Sequence, residues 1–330
     1  MTALPLHIAG LGHYLPARIV SNEEVEARCA LPAGWIKART GVCERRWVTG
    51  ESNSFMAGQA ALEALAQAGL EPDQIDLILN ASGTQEQAIP DGGPLLQNAL
   101  GLSQSGVPCF TIHATCLSFL AAVEVAASLL SSQRYRHILI VSSEIASCGL
   151  NFAEPESAAL MGDGAAAVVI SRPPPGRPAS LHASRIETYG AGSTFAEIRG
   201  GGTAKHPAGP TTTPADNLFH MNGPQLLKLT RRYSRDFLER LQPGLSQGLG
   251  DIKLVIPHQA SLLGLRLLRF FGWPDEQVMV TLNRYGNCVA ASIPLALYEA
   301  VKQGRVKRGD KILLVGTGAG LSLGGLILTY

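Results

Sequence analysis

The chain has 330 residues, 46% of them apolar and only 16% charged, a composition that excludes disorder and requires a large buried interior. That length exceeds what one hydrophobic core serves, so two domains or two fused halves are expected. Lys and Arg number 27 against 26 Asp and Glu, which leaves no global basic field for nucleic acid, only a local cluster at Arg231, Arg232 and Arg235.

The start "MTALPLHIAG" lacks a basic segment followed by a long apolar core, and no run of about 18 apolar residues occurs, so neither a secretory signal nor a membrane span is expected. Six scattered cysteines (Cys29, Cys43, Cys109, Cys116, Cys148 and Cys288) lack the short paired spacing of a zinc site. The expectation is a cytoplasmic protein with reduced thiols, no metal, and no nucleic-acid or membrane partner.

In chain order, "LHIAGLG" reads as a buried strand, "SFMAGQAALEALAQAGL" as a helix, and "IDLILNAS" and "VPCFTIHA" as strands. The helix-like "SFLAAVEVAASLLSSQ" and the strand "HILIVSSE" follow. This alternation predicts crossover units and a largely parallel sheet covered on both faces. At residues 171–180, "SRPPPGRPAS" interrupts regular structure. The alternation then resumes with "KLVIPHQ", "SLLGLRLLRFFG", "ASIPLALYEAVKQG" and "KILLVGTG". Both "MGDGAAAVVIS", before the break, and "VGTGAGLSLGGLILTY", at the end, set a glycine turn before an apolar strand. The pattern points to an internal duplication, two α/β halves divided as 1–172 and 173–330 around one core.

Cys116 stands between the strand-like "VPCFTIHA" and the apolar helix that follows. Unpaired N–H groups and the helix dipole at that boundary favour thiolate, the form that attacks a carbonyl carbon. A lone cysteine is also commonly a small buried hydrophobe. His258 comes directly after the strand "KLVIP", at the carboxyl edge where ligands of crossover sheets gather; a capping or core histidine is the alternative. Asn287, in "NRYGNCVAAS", is either a helix N-cap or a side-chain donor to a substrate oxygen. The turn in "GTGAGLSLGG" offers backbone N–H groups for an oxyanion hole.

Cys116, His258 and Asn287 in this order, with "GWIKARTGV", "MGDGAAAVV", "IPHQAS" and "YGNCVAASIPLAL", make the chain resemble a ketoacyl synthase III of the thiolase superfamily over its full length. The resemblance implies an α/β thiolase-like fold with a layered α-β-α-β-α core and a homodimer. It implies that Cys116 takes an acyl group from acyl-CoA. A malonyl thioester, on acyl carrier protein or coenzyme A, then loses carbon dioxide and its carbanion attacks the acyl-cysteine. His258 and Asn287 would stabilise the enolate, and the backbone N–H groups of Cys116 and Ala319 the tetrahedral oxyanion. No permanently bound cofactor is implied; acyl-CoA is substrate.

By the same resemblance Trp35 stacks on the adenine of coenzyme A, and Arg39 and Lys228 approach its phosphates. Pro155 and Leu263 stand where the family carries arginines, with Arg266 and Arg269 one turn later as replacements. The loop "TQEQAIPDGG" crosses to the partner subunit, where Ile89 gates the acyl pocket. The basic helix "LTRRYSRDFLER" is a solvated face or, by resemblance, a surface for acidic acyl carrier protein. His113 and Leu117 depart from the small residues usual beside the family's cysteine; His113 is expected to hydrogen-bond in the core, with tuning of the thiol the other reading.

Two other chemistries use the same acyl-cysteine: acyl transfer to a hydroxyl or amine, and head-to-head condensation of two acyl-CoA molecules without decarboxylation. The latter needs a carboxylate base near the place of Ile89, which only Glu86 could supply. Outside catalysis, an acyl-binding scaffold would carry an unreactive Cys116. A dinucleotide site is disfavoured, since no complete G-x-G-x-x-G opens a helix. The remaining cysteines read as structural, Cys109 in a strand, Cys148 in a loop and Cys288 beside Asn287.

Overall fold

Apolar residues on both faces of successive strands dictate burial from two sides. In the strand His137–Glu144, Ile138 and Ile140 enter one core cluster while Leu139 and Val141 enter another. The computed structural model describes residues 3–174 and 181–330, so most of the expected break at 171–180 lies outside the described residues.

A five-stranded sheet has the order His7–Tyr14, Gly164–Ser171, His137–Glu144, Leu77–Asn80, Cys109–Thr111. Its first two pairings are antiparallel and its last two parallel. The second sheet repeats the pattern with Leu181–Gly192, Gly320–Thr329, Lys311–Gly318 and Leu254–Pro257, paired antiparallel, antiparallel, parallel. A single parallel bridge from Val255 to Val278 stands where the first sheet has its fifth strand. The sheets are thus mixed rather than largely parallel. In the second half a tight turn at Ala319 folds the chain back as a hairpin, which makes the neighbours antiparallel. In the first half the return passes through short turns and the four-residue helix Pro155–Ala158, with no crossover helix.

Five layers result. The helix Asn53–Ala68 lies outside the first sheet, against His7–Tyr14 and Gly164–Ser171. Gly223–Leu241 lies outside the second, against Leu181–Gly192 and Gly320–Thr329. Ser118–Ser131 and Ser292–Lys302 lie between the sheets, and their apolar residues share one cluster with the inner faces of both. The expected α-β-α-β-α core is the observed one. Asn53–Ala68 begins where the Ser52 side chain accepts the Phe55 N–H, and it stops at Gly69 in the left-handed region. It rides so close to the first strand that a Cβ at Gly12 would fall 2.1 Å from the carbonyl oxygen of Ala60. Among the described residues no helix is long and apolar enough to cross a membrane.

Candidate active site

Cys116 sits in the short 3-10 turn Thr115–Leu117, immediately before the central helix Ser118–Ser131. Thr115 opens this turn at φ 51°, a left-handed conformation rare for a β-branched residue. Ser118 holds it: its hydroxyl donates to the Thr115 carbonyl and accepts the Ala114 N–H. Cys116 retains some exposed surface as a residue, yet its thiol is enclosed. Burial first, and then the Glu144 carboxylate, push the thiol up to about 12, against the N–H groups of Ala319 and Cys116 itself. The expected resting thiolate is therefore corrected. Desolvation outweighs the N–H groups at the helix start, and Cys116 rests as a neutral thiol.

His258 follows the strand Leu254–Pro257, its own N–H donating to the Val315 carbonyl. Burial alone lowers its imidazole to about 4, so the ring is neutral. Its Nδ1 is buried with no partner among the described residues. A buried N–H without an acceptor is the costlier orphan, which favours the tautomer with the proton on Nε2. The neighbouring strand makes room for the ring: a Cβ at Gly316 would lie 2.7 Å from His258 Cβ and 3.3 Å from Leu117 Cδ2.

Asn287 is buried and locked by its backbone, its N–H donating to Leu160 and its carbonyl accepting from Gly162. Its Oδ1 accepts the Val289 N–H at 2.9 Å, which leaves the Nδ2 donors for a partner. The turn-capping and donor readings are thus compatible in one amide. The cysteine turn 115–117 touches both the strand Lys311–Gly318, beside the His258 strand, and the turn Val289–Ala291 after Asn287. Ala319 tips the final hairpin outside the left-handed region, so alanine is accommodated between Gly318 and Gly320, and its N–H reaches the Cys116 thiol.

Glu144 is a site neighbour that sequence reading misses. It is fully buried and takes N–H groups from Gly83 at 2.6 Å and Thr84 at 2.7 Å, with Ala290 adding a third. Burial nonetheless raises it to about 8. The only signal was an acid at the carboxyl end of the strand "HILIVSSE". Glu86, by contrast, is exposed and accepts the Ser54 N–H at 2.7 Å, at the start of an outer helix. In this chain its carboxylate caps that helix.

Trp35 is partly buried at the start of the short helix Trp35–Thr40, while Arg39 and Lys228 are exposed. Arg269 forks onto Asp275, and Arg266 is exposed. Leu263 is exposed and Pro155 opens a four-residue helix. Arg231, Arg232 and Arg235 are exposed on Gly223–Leu241, whose buried residues are Phe237, Leu238 and Leu241. Ile89 is 88% exposed, and Cys109–Thr111 is the edge strand of the first sheet. His113 is exposed rather than in the core, because the chain leaves that edge strand at Thr111; its Nε2 lies 3.3 Å from the Gly83 carbonyl. Cys288 is buried and Cys109 lies in the edge strand. Cys148 is exposed in a 3-10 turn.

A family model described as 3-oxoacyl-[acyl-carrier-protein (ACP)] synthase III matches residues 110–190, and its C-terminal counterpart matches residues 246–330. A beta-ketoacyl-[acyl-carrier-protein] synthase III of Symbiobacterium thermophilum is 35% identical over 333 residues, covering 100% of this chain and 99% of that relative. The crystal structure of 3-oxoacyl-[acyl-carrier-protein] synthase III from Aquifex aeolicus superposes with a TM-score of 0.87 at 33% identity, covering 98% of this chain and 100% of that one. OleA of Xanthomonas campestris superposes with a TM-score of 0.86 at 21% identity over the full length of both chains, a likeness of fold alone.

Proposed function

The chain belongs to the 3-oxoacyl-[acyl-carrier-protein] synthase III family, and from that premise we propose how its site carries out the condensation. It is an acyl-transferring condensing enzyme. Cys116 Sγ attacks the thioester carbonyl of an acyl-CoA, and the C–S bond to coenzyme A breaks. The departing thiolate carries away the proton that Cys116 gives up. The N–H groups of Cys116 and Ala319 hold the oxyanion between these events. A malonyl thioester then loses carbon dioxide, and the electron pair of the broken C–C bond becomes its enolate. The Nε2–H of neutral His258 and the Nδ2–H of Asn287 stabilise that enolate oxygen. The carbanion attacks the acyl-cysteine, a 3-oxoacyl thioester is formed, and Cys116 leaves as thiolate and takes a proton from water to return to the resting thiol.

The observation that carries this reading is the pair of neutral donors flanking the cysteine turn, with no free carboxylate at the place of Ile89. Decarboxylation supplies its own electron pair and needs no base there. We propose no resident cofactor, malonyl-acyl carrier protein or malonyl-CoA as the second substrate, and acyl carrier protein as a partner at the basic helix. Trp35, Arg39 and Lys228 form the donor groove in this reading. A cytoplasmic homodimer with halves 1–172 and 173–330 belongs to it too. An unpaired edge strand, with Phe110 44% and Ile89 88% exposed, supports the dimer. Intact mass after incubation with a panel of acyl-CoAs tests the first step. Acylation is expected for the wild type and not for Cys116→Ala, and malonyl thioester should then discharge it as 3-oxoacyl product. No mass gain with any donor would overturn the coenzyme A half of the reading.

A further inference from the structure

The residue after His258 does more than continue the chain. Gln259 is completely buried, and its amide spends its hydrogen-bonding capacity on two segments of backbone. Its Nε2 donates to the Pro257 carbonyl at 2.8 Å and to the Met279 carbonyl at 3.1 Å. Its Oε1 accepts the Thr281 and Leu282 N–H groups, both at 3.0 Å. One end of this clamp is therefore the strand end that presents His258. The other is the segment 279–282, which leads into the short helix Leu282–Tyr285, then Gly286 at φ 67°, then Asn287. A second tie runs parallel to it, since the Met279 N–H donates to the Val255 carbonyl in the His258 strand.

We propose that Gln259 is a positioning residue for decarboxylation, fixing the spacing of the His258 and Asn287 donors through this four-bond clamp. The inference rests on the reaction proposed above. Enolate stabilisation depends on two donors converging on one oxygen within a fraction of an ångström, and misplacement of about 1 Å costs on the order of a hundredfold. No other side chain among the described residues hydrogen-bonds to both the 254–257 strand and the 279–282 segment. The acylation step uses a different scaffold. Its oxyanion donors belong to the Cys116 turn and the Ala319 hairpin, neither of which bonds to Gln259. The clamp thus predicts that the two half-reactions separate.

The test uses full-length Gln259→Met and Gln259→Glu beside the wild type. Methionine keeps the shape and makes none of the four bonds; a carboxylate can accept from Thr281 and Leu282 but donates nothing. Cys116 acylation by acyl-CoA, followed by intact mass, is expected within about threefold of the wild type in both variants. Malonyl thioester decarboxylation is expected to fall about a hundredfold in kcat with KM nearly unchanged. Wild-type decarboxylation in either variant overturns the proposal, as does an equal fall in both half-reactions. If neither variant folds, the wild type decides by amide hydrogen exchange at Thr281 and Leu282. Exchange as slow as in the central strands supports the clamp, and exchange at the rate of exposed loops refutes it. Wild-type protein that accepts no acyl group refutes the proposed reaction instead, a different outcome from an active wild type with unchanged variants.

Discussion

Neutral His258 makes a demand on stability as well as on catalysis. The folded protein holds the imidazole neutral down to about pH 4, because burial lowers it from 6.5. The unfolded chain binds the proton near 6.5. Between these values the unfolded state carries one more proton, so stability must fall as pH falls. Above about 6.5 both states are neutral at this site and the effect vanishes. The interval from 6.5 to about 4 corresponds to about 3 kcal/mol, lost at about 1.4 kcal/mol per pH unit. Glu144 opposes it: burial raises this carboxyl to about 8, so its contribution is present at low pH and is lost as pH rises from the ordinary carboxylate range to about 8. A raw stability curve mixes the two. Urea unfolding of wild type and His258→Asn across pH 4–8 separates them, since Glu144 is common to both proteins. The wild type should lose about 3 kcal/mol relative to the variant on going from pH 7 to pH 4. Parallel curves over that range would refute the neutral, desolvated histidine and, with it, its role as a neutral donor.

Asn287→Asp keeps the acceptor for the Val289 N–H but removes the side-chain N–H donors, so decarboxylation should fall about 10²–10³-fold while Cys116 acylation continues. Single-turnover assays of the two steps check this, and equal losses would contradict it. Glu144→Gln removes the carboxylate that helps push the Cys116 thiol up, so the pH profile of iodoacetamide labelling should move to lower pH. An unmoved profile in a folded variant would show that burial alone sets the thiol. Gly12→Ala drives a Cβ to 2.1 Å from the Ala60 carbonyl, backbone against backbone, and should cost at least about 1–3 kcal/mol. Chemical denaturation measures it, and an unchanged midpoint would mean that the strand and helix can separate freely.

The strand Lys311–Gly318 is legible to the residue, because the apolar run ends in the glycine turn that reverses it. The segment "VPCFTIHA" yields only Cys109–Thr111 as strand, because it lies at a sheet edge and must release the chain toward Cys116. "SLLGLRLLRFFG" tightens from α-helix at Leu262–Leu267 into a 3-10 turn at Leu268–Phe271, ending on left-handed Gly272, a change that apolar spacing does not encode. That Cys116, His258 and Asn287 stand at element ends is legible from the runs on either side of them. Their acidities are not, since burial comes from layers distant in sequence and Glu144 arrives on a separate strand. Leu117 looks misplaced beside a nucleophile until the hairpin is seen opposite. Cβ atoms at Gly316, Gly318 and Gly324 would lie 3.0–3.3 Å from its side chain, so these glycines provide its space.

The second half repeats the first in its turns as well as in its sheet. Each half has a left-handed residue, then a 3-10 turn, then a helix buried between the sheets. Thr115 at φ 51° leads into Ser118–Ser131, and Val289 at φ 44° leads into Ser292–Lys302. By this correspondence Cys116 matches Ala290, and Ala290 donates its N–H to Glu144 rather than presenting a reactive group. The two turns lie against each other. A site made this way sits on paired, buried helices and strand ends, so its donors are held before substrate arrives. Chemistry then requires the symmetry to break at a few positions only. A thiol stands in one turn and an amide before the other, while glycines of the hairpin strands make room for Leu117 and the imidazole ring.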